Sequence, residues 1–129
     1  MMLTLHKQWS AIDIGSPTIK DIRQAIVEAG LKGHGSTSFS LTDTELNSLI
    51  LYFRDSLEIK AVFNDDYYID YHFKTDSWNE VEAYFNYFLY HGPEQMKSVM
   101  LERMQVHPQK PKSKKTGSAI VLSSVIDQC

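Results

Sequence analysis

Leu57-Glu58-Ile59-Lys60-Ala61-Val62-Phe63-Asn64-Asp65-Asp66-Tyr67-Tyr68-Ile69-Asp70-Tyr71-His72-Phe73-Lys74, residues 57–74, decides the fold. Leu57, Ile59, Ala61 and Phe63 alternate with Glu58, Lys60 and Val62. Tyr67, Ile69, Tyr71 and Phe73 alternate with Tyr68, Asp70, His72 and Lys74. Successive strand side chains point to opposite faces, so each run has one apolar face. A three-residue loop, Asn64-Asp65-Asp66, pairs Phe63 with Tyr67, Ala61 with Ile69, Ile59 with Tyr71 and Leu57 with Phe73. All the apolar residues then share a face, whereas a two-residue loop sets them out of phase. The stretch reads as a β-hairpin.

Upstream, Ser48-Leu49-Ile50-Leu51-Tyr52-Phe53 is a short apolar run that fits a strand closed by a turn at Arg54-Asp55. A helix over 42–57 fits as well. Thr42 and Glu45 match a capping box, and Leu46, Leu49, Ile50, Phe53 and Leu57 have helical spacing. Further upstream, a helix is expected from Pro17 to Ala29. Ser16 would be its N-cap, Ile19, Ile22, Ile26 and Ala29 its apolar stripe, and Gly30 its left-handed end. Lys32 to Ser36 reads as a loop, and Thr37 to Leu41 as a short strand.

Downstream, Ser77 and Glu80 match a second capping box, opening a helix to about His91. Trp78, Val81, Phe85, Phe88 and Leu89 are expected to face the core. Asn79, Glu80, Asn86, Tyr87 and Tyr90 are expected on the other side. Gly92-Pro93 breaks the chain, and Pro93 starts a further helix to about Gln105, with Met96, Met100 and Met104 on one stripe. These elements make an α+β domain over residues 1–106. Residues 107–117 read as a basic flexible linker. In 118–129, Ala119 to Leu122 with Val125 and Ile126 is a candidate C-terminal strand that would dock on the domain.

The chain has 129 residues, which suits one domain, and 43% of them are hydrophobic, which fits a folded chain. Its net charge of −3 is unevenly spread. Residues 55–94 hold nine acids against Lys60 and Lys74, while residues 95–129 hold six basic groups against Glu102 and Asp127. Such asymmetry concerns partners rather than fold. Cys129 is the lone cysteine, so no internal disulfide is expected and a reducing compartment fits. The N-terminus has no apolar stretch of signal-peptide length, and no run approaches a membrane span. A soluble, cytoplasmic protein is the expectation.

Residue patterns for catalysis are sparse. Gly30, Gly33 and Gly35 follow a helix, whereas a phosphate cradle opens one. His6, His34, His72, His91 and His107 lack metal spacing. Asp70 and His72 share a strand face and would suit an acid–base pair, though a polar surface row is the simpler reading. Lys110, Lys112, Lys114 and Lys115 suit a solubilising linker better than a nucleic-acid contact. No enzymatic activity and no cofactor or metal are expected. Residues 63–90 hold eleven of the fifteen aromatics. The core accounts for seven of them, Tyr84 is assigned to neither side, and Tyr68, Tyr87 and Tyr90 are left pointing outward beside carboxylates. Tyrosine is a favoured interface anchor and carboxylates steer a basic partner. Asp65, Asp66, Tyr68, Asp70, His72, Glu80, Tyr87 and Tyr90 are therefore the candidate partner-binding residues.

The order Ser16-Pro17-Thr18-Ile19-Lys20-Asp21-Ile22, a Gly-rich loop, Thr37-Ser38-Phe39-Ser40-Leu41, then a hairpin ending Tyr67-Tyr68-Ile69-Asp70-Tyr71-His72-Phe73 resembles the immunity proteins of bacterial polymorphic-toxin and contact-dependent growth-inhibition systems. The segment from Asn79-Glu80-Val81-Glu82-Ala83-Tyr84-Phe85 to Gly92-Pro93 looks like their closing helix, so the likeness covers residues 16–93. Asn64-Asp65-Asp66 stands where some of these families have a glycine-rich strand turn. The resemblance implies a cytoplasmic, non-enzymatic protein that covers the active site of a cognate toxin domain, often a basic nuclease. It also implies an antiparallel β-meander, which favours the strand reading of 48–53. Two other classes stand beside it: an acidic nucleic-acid mimic inhibiting a nucleic-acid-binding protein, and a small enzyme using Asp70 and His72.

Overall fold

A computed structural model describes residues 2–106, and at 66–68 and 105–106 the backbone alone. The expected strand and linker of 107–129 lie outside the described residues. The chain is α+β, with the order β1 (Leu3–Lys7), β2 (Ile14–Gly15), α1 (Ile19–Lys32), β3 (Thr37–Asp43), β4 (Ser48–Phe53), β5 (Leu57–Phe63), β6 (Asp66–Thr75) and α2 (Trp78–Val106). The described strands form one antiparallel sheet in the order β2-β1-β3-β4-β5-β6. From β3 to β6 it is a meander, and residues 48–53 are its second strand.

The strands alternate along their length, apart from the start of β6. Leu3, Leu5, Phe39, Leu41, Leu49, Leu51, Leu57, Ile59, Ala61, Phe63, Tyr71 and Phe73 are all buried. They face α1 over β3 and α2 over β4, β5 and β6. β1 carries the same signal in Leu3, Thr4, Leu5 and His6, but five residues beside a longer helix pattern are easily passed over.

The β5–β6 register differs from the expected one. Ile59 pairs with Phe73, Ala61 with Tyr71 and Phe63 with Asp66, with an irregularity between Ala61 and Phe63. The loop is the two-residue Asn64-Asp65, and a bulge over 67–70 restores the phase. A shift by two residues keeps every face, whereas a shift by one would expose Leu57, Ile59 and Phe63 at about 1.5–3 kcal/mol each. Alternation therefore dictates the face and leaves the register to the turn. Asn64 anchors that turn: its N–H donates to Asn47 Oδ1 at 2.9 Å and its Nδ2 to the Glu45 carbonyl at 2.5 Å. Ile69 falls in the bulge and is 39% exposed rather than buried.

α1 begins two residues later than expected. Thr18 is its cap, with the Asp21 carboxylate accepting from the Thr18 N–H at 2.8 Å and from its hydroxyl at 3.2 Å. Ser16 has φ 49 and Pro17 is buried ahead of the helix. The helix also runs through Gly30 and ends at Gly33, whose φ of 85 supplies the left-handed turn. On its outer side Glu28 accepts from Gln24 Nε2, Trp9 Nε1 and Lys7 Nζ at 2.9–3.0 Å. These bonds tie the β1–β2 connection to α1 and hold the Glu28 carboxyl down at about 2, the Gln24 bond contributing most.

α2 is broken at Gly92, with φ 83 and ψ −178, a conformation open essentially to glycine. Its second limb, 93–106, turns back along the first, 78–91. Arg103 reaches Glu80, and the Tyr87 hydroxyl donates to Gln95 Oε1 at 3.5 Å. Met96 and Met100 are buried. Gly92→Ala is expected to cost about 1–3 kcal/mol, read as a lower urea midpoint with an unchanged slope. Glu28 has a depressed native pKa, so its stabilisation is complete above the unfolded value of about 4.5 and is lost as pH falls towards 2. Glu28→Gln should therefore flatten the decline of melting temperature between pH 5 and 2.

Candidate interaction surface

Three segments meet at one end of the sheet: the β3–β4 turn, the β5–β6 turn and the break in α2. The buried Asp43 carboxylate organises the first. Its Oδ1 accepts from the Glu45 and Asn47 N–H groups at 2.8 and 2.9 Å, and its Oδ2 from Asn47 Nδ2 at 3.0 Å. The Asn47 side chain then holds the second turn through the Asn64 N–H. The third joins through Lys97, whose ammonium lies 2.6 Å from Asp65 and 5.4 Å from the Phe63 ring centre. Between them is a small polar cavity of about 100 Å³, with Glu45, Asp65, Glu94 and Lys97 on its rim.

The expected partner-binding residues divide among several places. Asp65 is exposed at this end, and the Lys97 hydrogen bond pulls its carboxyl below the usual carboxylate range. Tyr90 lies two residues before the α2 break, 63% exposed, beside an open groove lined by Pro17, Ile19 and Leu89. Asp70 and His72 project from β6 on the sheet face that no described helix covers. His72 Nδ1 is 3.4 Å from Asp70 Oδ2, and Lys60 Nζ is 3.9 Å from Asp70 Oδ1. All three are substantially exposed, an arrangement suited to polar contacts at an interface rim. The side chains of Asp66 and Tyr68 lie outside the described ones.

Two residues are corrected. Tyr87 does not point outward. It is 8% exposed, its ring centre 4.3 Å from that of His91. Glu80 is not a surface carboxylate either: Arg103 grips it through Nε at 2.8 Å and Nη2 at 3.3 Å, both side chains being largely covered. The reason is the same for both. The returning limb of α2 covers the side of the first limb that helical spacing alone assigns to solvent, and Asn86 is buried with them. The Ser77 hydroxyl does accept from the Glu80 N–H at 3.1 Å, so half of the expected capping box forms. The Glu80 carboxylate goes to Arg103 instead.

Leu46, Glu45, Glu94 and Lys97 were not legible as surface partners in the pattern. Leu46 is the least expected of them, 68% exposed with φ 70. A bulky residue in the left-handed region costs on the order of 1–3 kcal/mol. Its one signal in the sequence appears only when 43–47 is taken as a hairpin turn, because position 46 then needs a left-handed residue.

Among the described residues there is no group of three His, Cys, Asp or Glu side chains placed to hold a metal ion, and no helix long and apolar enough to cross a membrane. Comparison with protein-family models, with characterised proteins and with solved structures returns no match.

Arg103→Met would leave the Glu80 carboxylate half-buried beside Phe73 without its guanidinium, which lies 4.3 Å from the Phe73 ring centre. The expected loss is about 1–3 kcal/mol, below that of a fully buried pair because water still reaches both groups. Urea unfolding measures it, and an unchanged midpoint would place Glu80 back among the surface carboxylates.

Proposed function

We propose that this chain is a bacterial immunity protein, which binds a cognate toxin domain in the cytoplasm and neutralises it by covering its active site. The observation that carries the reading is the composition of the end described above. Exposed carboxylates of Glu45, Asp65 and Glu94 stand around one ammonium, and the exposed Leu46 follows Glu45 in the chain. Clustered acidic groups with an apolar side chain adjoining one of them are what a basic protein surface, such as that of a nuclease, would engage. The resemblance of residues 16–93 to immunity proteins in the order of their elements supports the same reading.

The contact acts by occupation and needs no catalytic group on this chain. Asp70 and His72, on the adjoining open sheet face, extend the surface as polar rim contacts. Tyr90 flanks it from the α2 side. Glu80 and Tyr87 contribute indirectly, by holding the two limbs of α2 together so that Pro93, Glu94 and Lys97 keep their positions.

The test is to seek a toxin-like domain in the coding regions adjoining that of this chain and to follow its binding at several salt concentrations. Wild type is expected to lose affinity as salt rises. Asp65→Lys with Glu94→Lys should slow association at least tenfold at low salt and remove most of that salt dependence, with folding retained. Unchanged association in the double variant would move the contact elsewhere on the protein. Displacement of the toxin by nucleic acid, with equal binding of unrelated nucleic-acid-binding proteins, would favour a nucleic-acid mimic instead.

A further inference from the structure

Leu46 occupies a position that the local geometry reserves for another residue type. The Asp43 N–H donates to the Asn47 carbonyl at 2.9 Å, and the Leu46 N–H to the Asp43 carbonyl at 3.2 Å. This is a three-residue hairpin loop whose last residue is left-handed, a place filled by glycine or asparagine. Leucine gains little burial there, since 68% of it is exposed. Backbone outliers kept without a packing benefit gather at functional sites, where the surrounding structure holds them. The surroundings here do hold it: the buried Asp43 carboxylate takes the N–H groups on both sides, of Glu45 and Asn47. Asn64 takes the Glu45 carbonyl from the neighbouring turn.

We infer that Leu46 is the apolar anchor of the partner contact, displayed by this strained turn for insertion into an apolar hollow rimmed by basic side chains on the toxin domain. The inference rests on the immunity reading and adds the residue that carries most of the binding. The occupant follows from the charges of the cavity bordered by Glu45, the residue before the leucine. There Glu45, Asp65 and Glu94 outnumber Lys97, so a basic rim around the hollow is matched and an acidic one is repelled. An anchor on a turn fixed by this many hydrogen bonds loses little freedom on binding, which favours a long-lived complex.

The experiment compares wild type, Leu46→Gly and Leu46→Asn by thermal melting and by titration with the toxin domain encoded beside this chain. Both substitutions suit the left-handed backbone, and Asn keeps a side chain, which controls for the added freedom glycine gives the unfolded chain. Melting temperature is expected to rise by about 4–8 °C in Leu46→Asn. Affinity is expected to fall at least tenfold in both variants, mostly through faster dissociation. An affinity within twofold of wild type in both would overturn the anchor while leaving the immunity reading intact. A lower melting temperature in both would show that Leu46 serves the fold, and would overturn it too. Failure of wild type itself to bind that domain would sink the immunity reading and the anchor together.

Discussion

Parity governs this molecule. Every long strand has one apolar and one polar side, and a sheet whose strands alternate in step can be covered on one face only. Each large apolar side chain turned to water would forfeit about 1.5–3 kcal/mol, so the helices must lie on a single side. The opposite face is thereby left to mainly polar rows. Across one of them His6, Ser40, Lys60 and His72 stand in register with a single apolar residue, Ile50. Asp70 and His72 are exposed because of this constraint, whatever they touch.

Covering a sheet this wide needs more than α1. The break at Gly92 solves this by folding α2 into two limbs, and the fold-back makes a third surface between them. Tyr87 meets Gln95 across that surface, and the Glu80–Arg103 pair closes it far from the turn. Burial also pushes the Tyr84 hydroxyl pKa up. The aromatic wealth of residues 63–90 is thus mostly interior. Of the tyrosines read as outward, Tyr90 alone is described as exposed, because it sits at the turn of the helical hairpin, where the returning limb gives least cover.

How much was legible follows from which interactions are local. The alternation of 57–63 and 71–73 showed the sheet and its buried face. It did not show the register, because a two-residue shift preserves parity and the choice lies with Asn64, whose partners Asn47 and Glu45 are 17 and 19 residues away. Capping motifs marked the helix starts to within two residues, yet Thr18 rather than Ser16 caps α1, since Asp21 reaches back only to Thr18. The Gly92-Pro93 break was visible, but its consequence, a buried second side on the first limb, depends on a contact 23 residues apart. The site suffered most from this. Asp65, Asp70, His72 and Tyr90 were found as exposed polar or aromatic positions. Glu80 and Tyr87 were misplaced by one missing long-range contact, and Leu46 was hidden inside a stretch that also fits a helix.

The charge imbalance that first marks residues 55–94 is also reduced by folding. Arg103 takes Glu80, Arg23 takes Glu82 at 2.8 Å and Lys97 takes Asp65. The surplus cations of the neighbouring segments are therefore spent partly within the domain, and net charge along the chain overstates the field outside it. What remains at the turn end is a small group of carboxylates and, next to Glu45 in the chain, the exposed Leu46, and the two kinds of group act on different steps. Exposed charges work through water over about a Debye length, so they set how often a basic partner arrives in the right orientation. An apolar side chain acts only on contact, so it sets how long the partner stays. A neutralising protein needs both, since a toxin that escapes quickly is not inhibited. Under the proposed immunity function, strain held at Leu46 by Asp43 is the cost of a rigid anchor, and the carboxylates of the same end are the means of finding the partner.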